Sequence, residues 1–271
     1  MIALHARRSA ASVQAWREAH PSRPLVVVLT GTDLYRDIDS STEAQRSLAL
    51  ADRLVVLQPL GMQRLPPALQ AKTLVCVQSS PARVPVPKPT RHLHALMVGH
   101  LREEKAPETL YAAARLLQHR SDIRIDHIGA ALDPALAQAA RDTMAACPGY
   151  RWLGALPHAQ TRRRIQAASV LVHCSRMEGG AQVVIEAITS GTPVLVSKID
   201  GNLGLLGAGY TGIFPVGDAE ALAALLERCR DDPAMLPDLT RQCAARAAAF
   251  APEREAATLV TLITELLEKR P

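Results

Sequence analysis

The stretch SRMEGGAQVVIEAITSGTPV, Ser175–Val194, decides how the chain is read. It carries two glutamates, Glu178 and Glu186, with seven residues between them, and Gly179 and Gly180 directly after the first. The apolar run VLVHC precedes it, a second apolar run holds Glu186, and Gly191-Thr192-Pro193 stops that run. Read as strand, loop and helix, the segment puts Glu178 at the carboxyl end of a buried strand, where open parallel sheets bind ligands. The paired glycines let a backbone come close to a ligand and leave N–H groups free. A helix opening near Ala181 favours an anion at its start.

At 1.5 Å per residue Glu186 falls in the second helical turn, roughly 10–14 Å from Glu178 between Cα atoms. That is about the reach from ribose to sugar in a nucleoside-diphosphate sugar. The spacing fits equally a loop carboxylate and a solvated helix carboxylate with no ligand, and by itself it leaves both readings open.

The surroundings of this segment set the class. Short apolar runs alternate with Ala- and Leu-rich amphipathic stretches along 271 residues. Strands are expected at 2–5, 25–29, 53–57, 72–77, 95–98, 123–128, 150–152, 170–173, 194–197 and 213–214. Helices are expected at 9–19, 41–51, 107–118, 134–145, 158–168, 181–190, 219–230, 235–248 and 253–269. Buried strands separated by helices indicate an α/β protein with parallel sheets covered on both faces. The window SSPARVPVPKPTRH, 79–92, holds four prolines and suits neither a central strand nor a helix interior. It divides the chain into a first unit at 1–80, a linker at 81–92, a second unit at 93–250 and a closing helix at 251–271. The first unit has about four strands and begins inside one of them, which reads either as the tail of a larger domain or as a small domain that folds alone.

Composition excludes several classes. Hydrophobic residues make up 48% but aromatics only 3%, so aliphatic side chains must fill the core. No apolar run reaches the roughly 18–20 residues of a membrane span, and MIALHARRSA lacks a signal-peptide layout. Five scattered cysteines without a CxxC pair suit reduced thiols in the cytoplasm rather than a disulfide frame or a zinc site. The net charge of +5 fits either an ordinary basic surface or attraction to anionic small molecules. Spread-out basic residues and scarce stacking aromatics argue against nucleic acid.

A second stretch, LMVGHLREEKAPETLYAAARLL at 96–117, repeats the strand–loop–helix layout. The strand ends at Gly99 and Pro107 opens the helix at a permitted position. Arg102 and Lys105 lie on the loop between, where they either balance phosphates or pair with Glu103 and Glu104.

Together, VGHLREEKAPETL and EGGAQVVIEAITSGTPV resemble the two signature segments of GT-B glycosyltransferases that share an E-x7-E motif. The resemblance runs through DRLVVLQ and the closing helices, and so covers nearly the whole chain. It implies two Rossmann-like doubly wound domains facing a cleft, with the first strands of the N-terminal one missing. It also implies a UDP-sugar donor, no metal and no other cofactor. Glu178 then binds the sugar hydroxyls, Glu186 the ribose, and Arg102 with Lys105 the diphosphate. Gly99, His100 and the backbone of Gly179, Gly180, Ala181, Gln182 and Val183 add further contacts. His5 and the loop from Thr30 to Asp33 are expected to face the cleft from the acceptor side, although a strand-end histidine and a turn aspartate explain them as well.

Departures from the pattern narrow the resemblance. His100 and Gly180 stand where an arginine and a phenylalanine are usual, and Thr30 where many members have histidine. With TGTDLYRDI and IDGNLGLLG, they make the chain most similar to the selenosugar synthases of selenoneine biosynthesis. This implies selenophosphate as acceptor and a carbon–selenium bond as product. An ordinary hydroxyl-glycosylating enzyme, a UDP-sugar epimerase or hydrolase, and a protein that binds UDP-sugar without turnover are the alternatives.

Overall fold

The computed structural model describes residues 1–268. Strands β1 (Ile2–Leu4), β2 (Val26–Val28), β3 (Arg53–Val56) and β4 (Thr73–Val75) form a four-stranded parallel sheet in that order. The second sheet is built from β5 (Leu93–Val98), β6 (Ile123–Ile128), β7 (Tyr150–Trp152), β8 (Val170–His173), β9 (Val194–Ser197) and β10 (Ile213–Phe214). Its order is β10-β9-β8-β5-β6-β7, and every pairing is parallel.

Both sheets are covered on two faces, which is why their central strands read as unbroken apolar runs. In β2, Val27 packs with Val13, Leu48, Leu54 and Val56, whereas Val26 and Val28 point the other way. There they meet Val55, Cys76 and Leu262 of the last helix, Pro252–Glu268. The chain end therefore returns to cover the first sheet. Burying a leucine such as Leu262 contributes about 1.5–3 kcal/mol.

Residues 76–89 carry no regular structure, yet they are strapped to the second sheet. Arg162 Nη1 donates to Ser80 Oγ at 2.6 Å, and Lys88 Nζ donates to Gln166 O at 2.6 Å and Thr192 Oγ1 at 2.8 Å.

Every expected strand forms, several of them trimmed at the ends. The expected helix at 181–190 spans only Gln182–Ile188, and the last helix is described to Glu268, so Lys269 lies outside the described residues. The sequence reading missed the helical turn Asp33–Asp37, the turn Pro59–Arg64 and the helix Asp200–Leu206. The last of these contains Gly201 and Gly204, which local propensity counts against a helix. Tertiary packing overrides that preference. A Cβ on Gly201 would sit 2.2 Å from Glu178 O, and one on Gly204 would sit 1.9 Å from Gln58 Oε1. The glycines let one helix press on both the Glu178 loop and the first half of the chain. All five cysteines are buried and free.

Candidate functional site

In the second sheet β5 lies between β6 and β8, so the chain's path reverses beside it. The crevice at such a switch point, outside the carboxyl ends of the strands, is where α/β sheets take ligands. The loops after β5 and β8 flank it, and they are the two stretches singled out above.

The loop after β5 is fixed from below. A Cβ on Gly129 would fall 1.9 Å from Gly99 O, so only glycine allows this approach. His127 Nε2 donates to Gly99 O at 3.0 Å, leaving Nδ1 to accept from Tyr150 Oη at 3.1 Å. Burial pushes the His127 pKa down to about 4. His100 Nδ1 accepts the Ala130 N–H at 3.0 Å, so this histidine anchors its own loop while its ring borders the crevice. Arg102 Nε is buried with no partner, and the nearest carboxylate oxygen, on Glu104, is 3.9 Å away. Ala106 closes the loop with φ 43°, in the left-handed region.

Across the crevice, Glu178 Oε1 receives Lys105 Nζ at 2.5 Å and Ser175 Oγ at 2.8 Å, with His173 Nε2 at 3.4 Å. Burial raises the Glu178 carboxyl pKa, but His173 and Lys105 outweigh it and hold the group well below the usual carboxylate range. Lys105 thus ties one loop to the other. Gly179 stands where a Cβ would be 2.6 Å from Thr30 C, so the first half of the chain abuts this turn.

Glu186 is 8% exposed. Its Oε1 lies 2.8 Å from His158 Nε2 and 3.8 Å from Arg162 Nη1, two residues one turn apart on the helix His158–Ala167. Glu178, Glu186, Arg102 and Lys105 line one cavity of about 470 Å³, together with Gly99, His100 and Gly180–Val183. The sequence-predicted donor-side residues are therefore brought together, with Gly179 behind the wall. Sequence reasoning missed His158, Arg162, His173 and Ser175. A histidine after Pro157 at a helix start, and another ending the apolar run VLV, were the only signals available.

The expected acceptor-side residues do not reach this cavity. Asp33 is fully buried. Its Oδ1 accepts from Thr30 N and Thr30 Oγ1, at 2.7 and 2.8 Å, and its Oδ2 accepts from Ala6 N at 2.8 Å. It is a buried tie between two loops, with both oxygens used. His5, at φ 72°, turns its Nε2 to Thr32 Oγ1 at 2.9 Å. The Thr30 backbone lies against Gly179, and its Oγ1 donates to Asp33. The side chain of Asp33 is closed off by these bonds; a role for these three residues on the acceptor side of the cleft stays a proposal. The link across the cleft on this side is Arg36, whose Nη1 lies 3.3 Å from Glu104 Oε1.

Residues 79–250 match the family model of glycosyl transferases group 1, and the chain belongs to that family. It is 30% identical over 200 residues to the D-inositol 3-phosphate glycosyltransferase of Streptomyces avermitilis, covering 69% of this chain and 43% of that protein. The Thermobispora bispora protein of the same name is 26% identical over 98% of this chain and 65% of its own length. The chain thus spans about half the length of the curated relatives it matches. Among solved structures, sucrose-phosphate synthase from Thermosynechococcus elongatus superposes with a TM-score of 0.79 at 20% identity, over 99% of this chain and 74% of that one. Anabaena HepE, in complex with UDP and glucose, gives 0.77 at 18% identity over 99% and 78%. The fold is GT-B. Among the described residues, no helix is long and apolar enough to cross a membrane.

Proposed function

We propose that the protein is a glycosyltransferase that moves a sugar from a UDP-sugar to selenophosphate. The observation that carries the donor half is the cavity at the switch point, with Arg102 and Lys105 on one loop and Glu178 and Glu186 across from them. UDP in complexes of structural neighbours supports the choice of nucleotide. Glu186 would take the ribose hydroxyls and Glu178, kept ionised, the sugar hydroxyls. Arg102 has a buried nitrogen without a partner, and with Lys105 it would face the diphosphate. As the bond from the sugar's anomeric carbon to the diphosphate oxygen breaks, the electron pair leaves with UDP. Fixed cations beside that oxygen stabilise the charge without reorganisation. Selenium of selenophosphate, already an anionic nucleophile, forms the new bond to the anomeric carbon and needs no strong base. Free, buried cysteines suit a reducing compartment such as the cytoplasm. Units at 1–80 and 93–250 on either side of the linker 81–92, with a closing segment at 251–271 whose residues 269–271 lie outside the described residues, remain our proposed division.

A second reading has its own support. The curated relatives are named for transfer to inositol 3-phosphate, so a phosphorylated polyol hydroxyl is the rival acceptor. Phosphorus NMR separates the two. The protein is incubated with a panel of UDP-sugars and either selenophosphate or inositol 3-phosphate. UDP released only with selenophosphate, with a new sugar-linked phosphorus signal, is the expected result. UDP released only with inositol phosphate overturns the selenium reading, and UDP binding without release in either arm supports a binding protein.

A further inference from the structure

His173 ends β8, and its side chain is 2% exposed. An apolar residue would close this strand at no polar cost. Instead the imidazole is buried, and its Nδ1 has no hydrogen-bond partner. An unpaired buried nitrogen costs stability, so the position is not explained by packing. The other nitrogen explains it. Nε2 lies 3.1 Å from Ser175 Oγ and 3.4 Å from Glu178 Oε1. A hydrogen on Nδ1 would be buried without an acceptor, so the network assigns the ring hydrogen to Nε2. Nε2–H then donates toward Ser175 Oγ, and Ser175 Oγ–H donates to Glu178 Oε1 at 2.8 Å.

Ser175 is itself held in place. Ser197 Oγ donates to Ser175 O at 2.6 Å, and Asn202 Nδ2 donates to Ser197 O at 2.9 Å. With Lys105 Nζ on the same carboxylate oxygen, Oε1 accepts from two groups on two loops, with His173 behind Ser175. Glu178 also lines the cavity, and its second oxygen, Oε2, is the one left for a ligand.

We propose that His173 and Ser175 are positioning residues that lock Glu178 so that Oε2 alone reads a hydroxyl of the donor's sugar. This rests on the donor-site reading above. It assigns discrimination of UDP-sugar from bare UDP to a buried pair that never touches either ligand.

The test compares UDP with the best UDP-sugar on wild type, His173→Leu, His173→Gln and Ser175→Ala, with thermal melts to establish folding. Calorimetry supplies UDP affinity, and steady-state kinetics supply KM and kcat for the UDP-sugar. In His173→Leu, UDP affinity is expected to stay within about twofold, while kcat/KM for the UDP-sugar falls about tenfold or more. Glutamine, which keeps an N–H near the Nε2 position, should restore most of that loss, and Ser175→Ala should reproduce it in a protein with a near-normal melt. Equal losses for UDP and UDP-sugar, or no rescue by glutamine, would make the pair merely structural and overturn the inference. Unchanged UDP-sugar kinetics in both His173→Leu and Ser175→Ala would overturn it as well. If wild type itself fails to bind UDP, the donor-site reading falls first and takes this inference with it.

Discussion

Two clusters of charged side chains stand at the carboxyl ends of parallel strands, one in each half of the molecule. Around Asp33 every carboxylate oxygen is spent on neighbours: Thr30, Ala6 and the loop backbone use them all. Around Glu178 only one oxygen is spent, and the residue borders a cavity of about 470 Å³. The same topological position holds a structural tie in one sheet and a candidate binding site in the other. Residue type and strand end do not distinguish them; the saturation of the hydrogen bonds does.

The largest effect that would sharpen this contrast is on turnover. Glu178→Ala should lower kcat/KM for the UDP-sugar at least about 100-fold, whereas Asp33→Asn, measured per folded molecule, should leave it within a few-fold. Comparable losses in both would erase the distinction.

A pH effect follows from His127 beneath Gly99. Its pKa is about 4 in the folded chain, against about 6.5 for an exposed histidine. Between those values the unfolded chain binds the extra proton, so this contribution is complete above pH 6.5 and lost as pH falls toward 4. Denaturant melts should show wild type losing up to about 3 kcal/mol more over that window than His127→Gln. Identical pH slopes would mean the ring is not held as described.

Asp33→Asn should cost about 2 kcal/mol in the same melts, because an amide N–H₂ replaces an acceptor facing fixed donors. A melt unchanged from wild type would remove the structural role. Smallest of all, Ala106→Gly relieves a left-handed alanine at φ 43° and should stabilise by about 0.5–1 kcal/mol, read as a rise in Tm.

Much of the fold was legible because period and punctuation are local. Val26–Val28 reads as a buried strand from three adjacent valines, and the four prolines at 79–92 mark a break that no helix or central strand crosses. The donor-side loops were legible because each carries its charged residues within a few positions. His173 and Ser175 sit in that same stretch but look like a strand end and a loop serine until Glu178 folds back on them. His158 lies 28 positions from Glu186, and only the sheet order brings them together. Asp33 shows the opposite case. Its strand-end address is local, but nothing local tells that Ala6, after the neighbouring strand β1, claims its second oxygen. The helix Asp200–Leu206 was missed because its glycines are required by contacts with Glu178 and Gln58 rather than by its own conformation.

The most direct measurement is a calorimetric titration of UDP into wild type, Glu186→Ala, Arg102→Ala and Asp33→Asn. Saturable one-to-one binding is predicted for wild type and Asp33→Asn, with at least about tenfold weaker binding in the two cavity variants. Absence of binding to wild type, or equal affinity in all four proteins, would contradict a nucleotide site between the loops that follow β5 and β8.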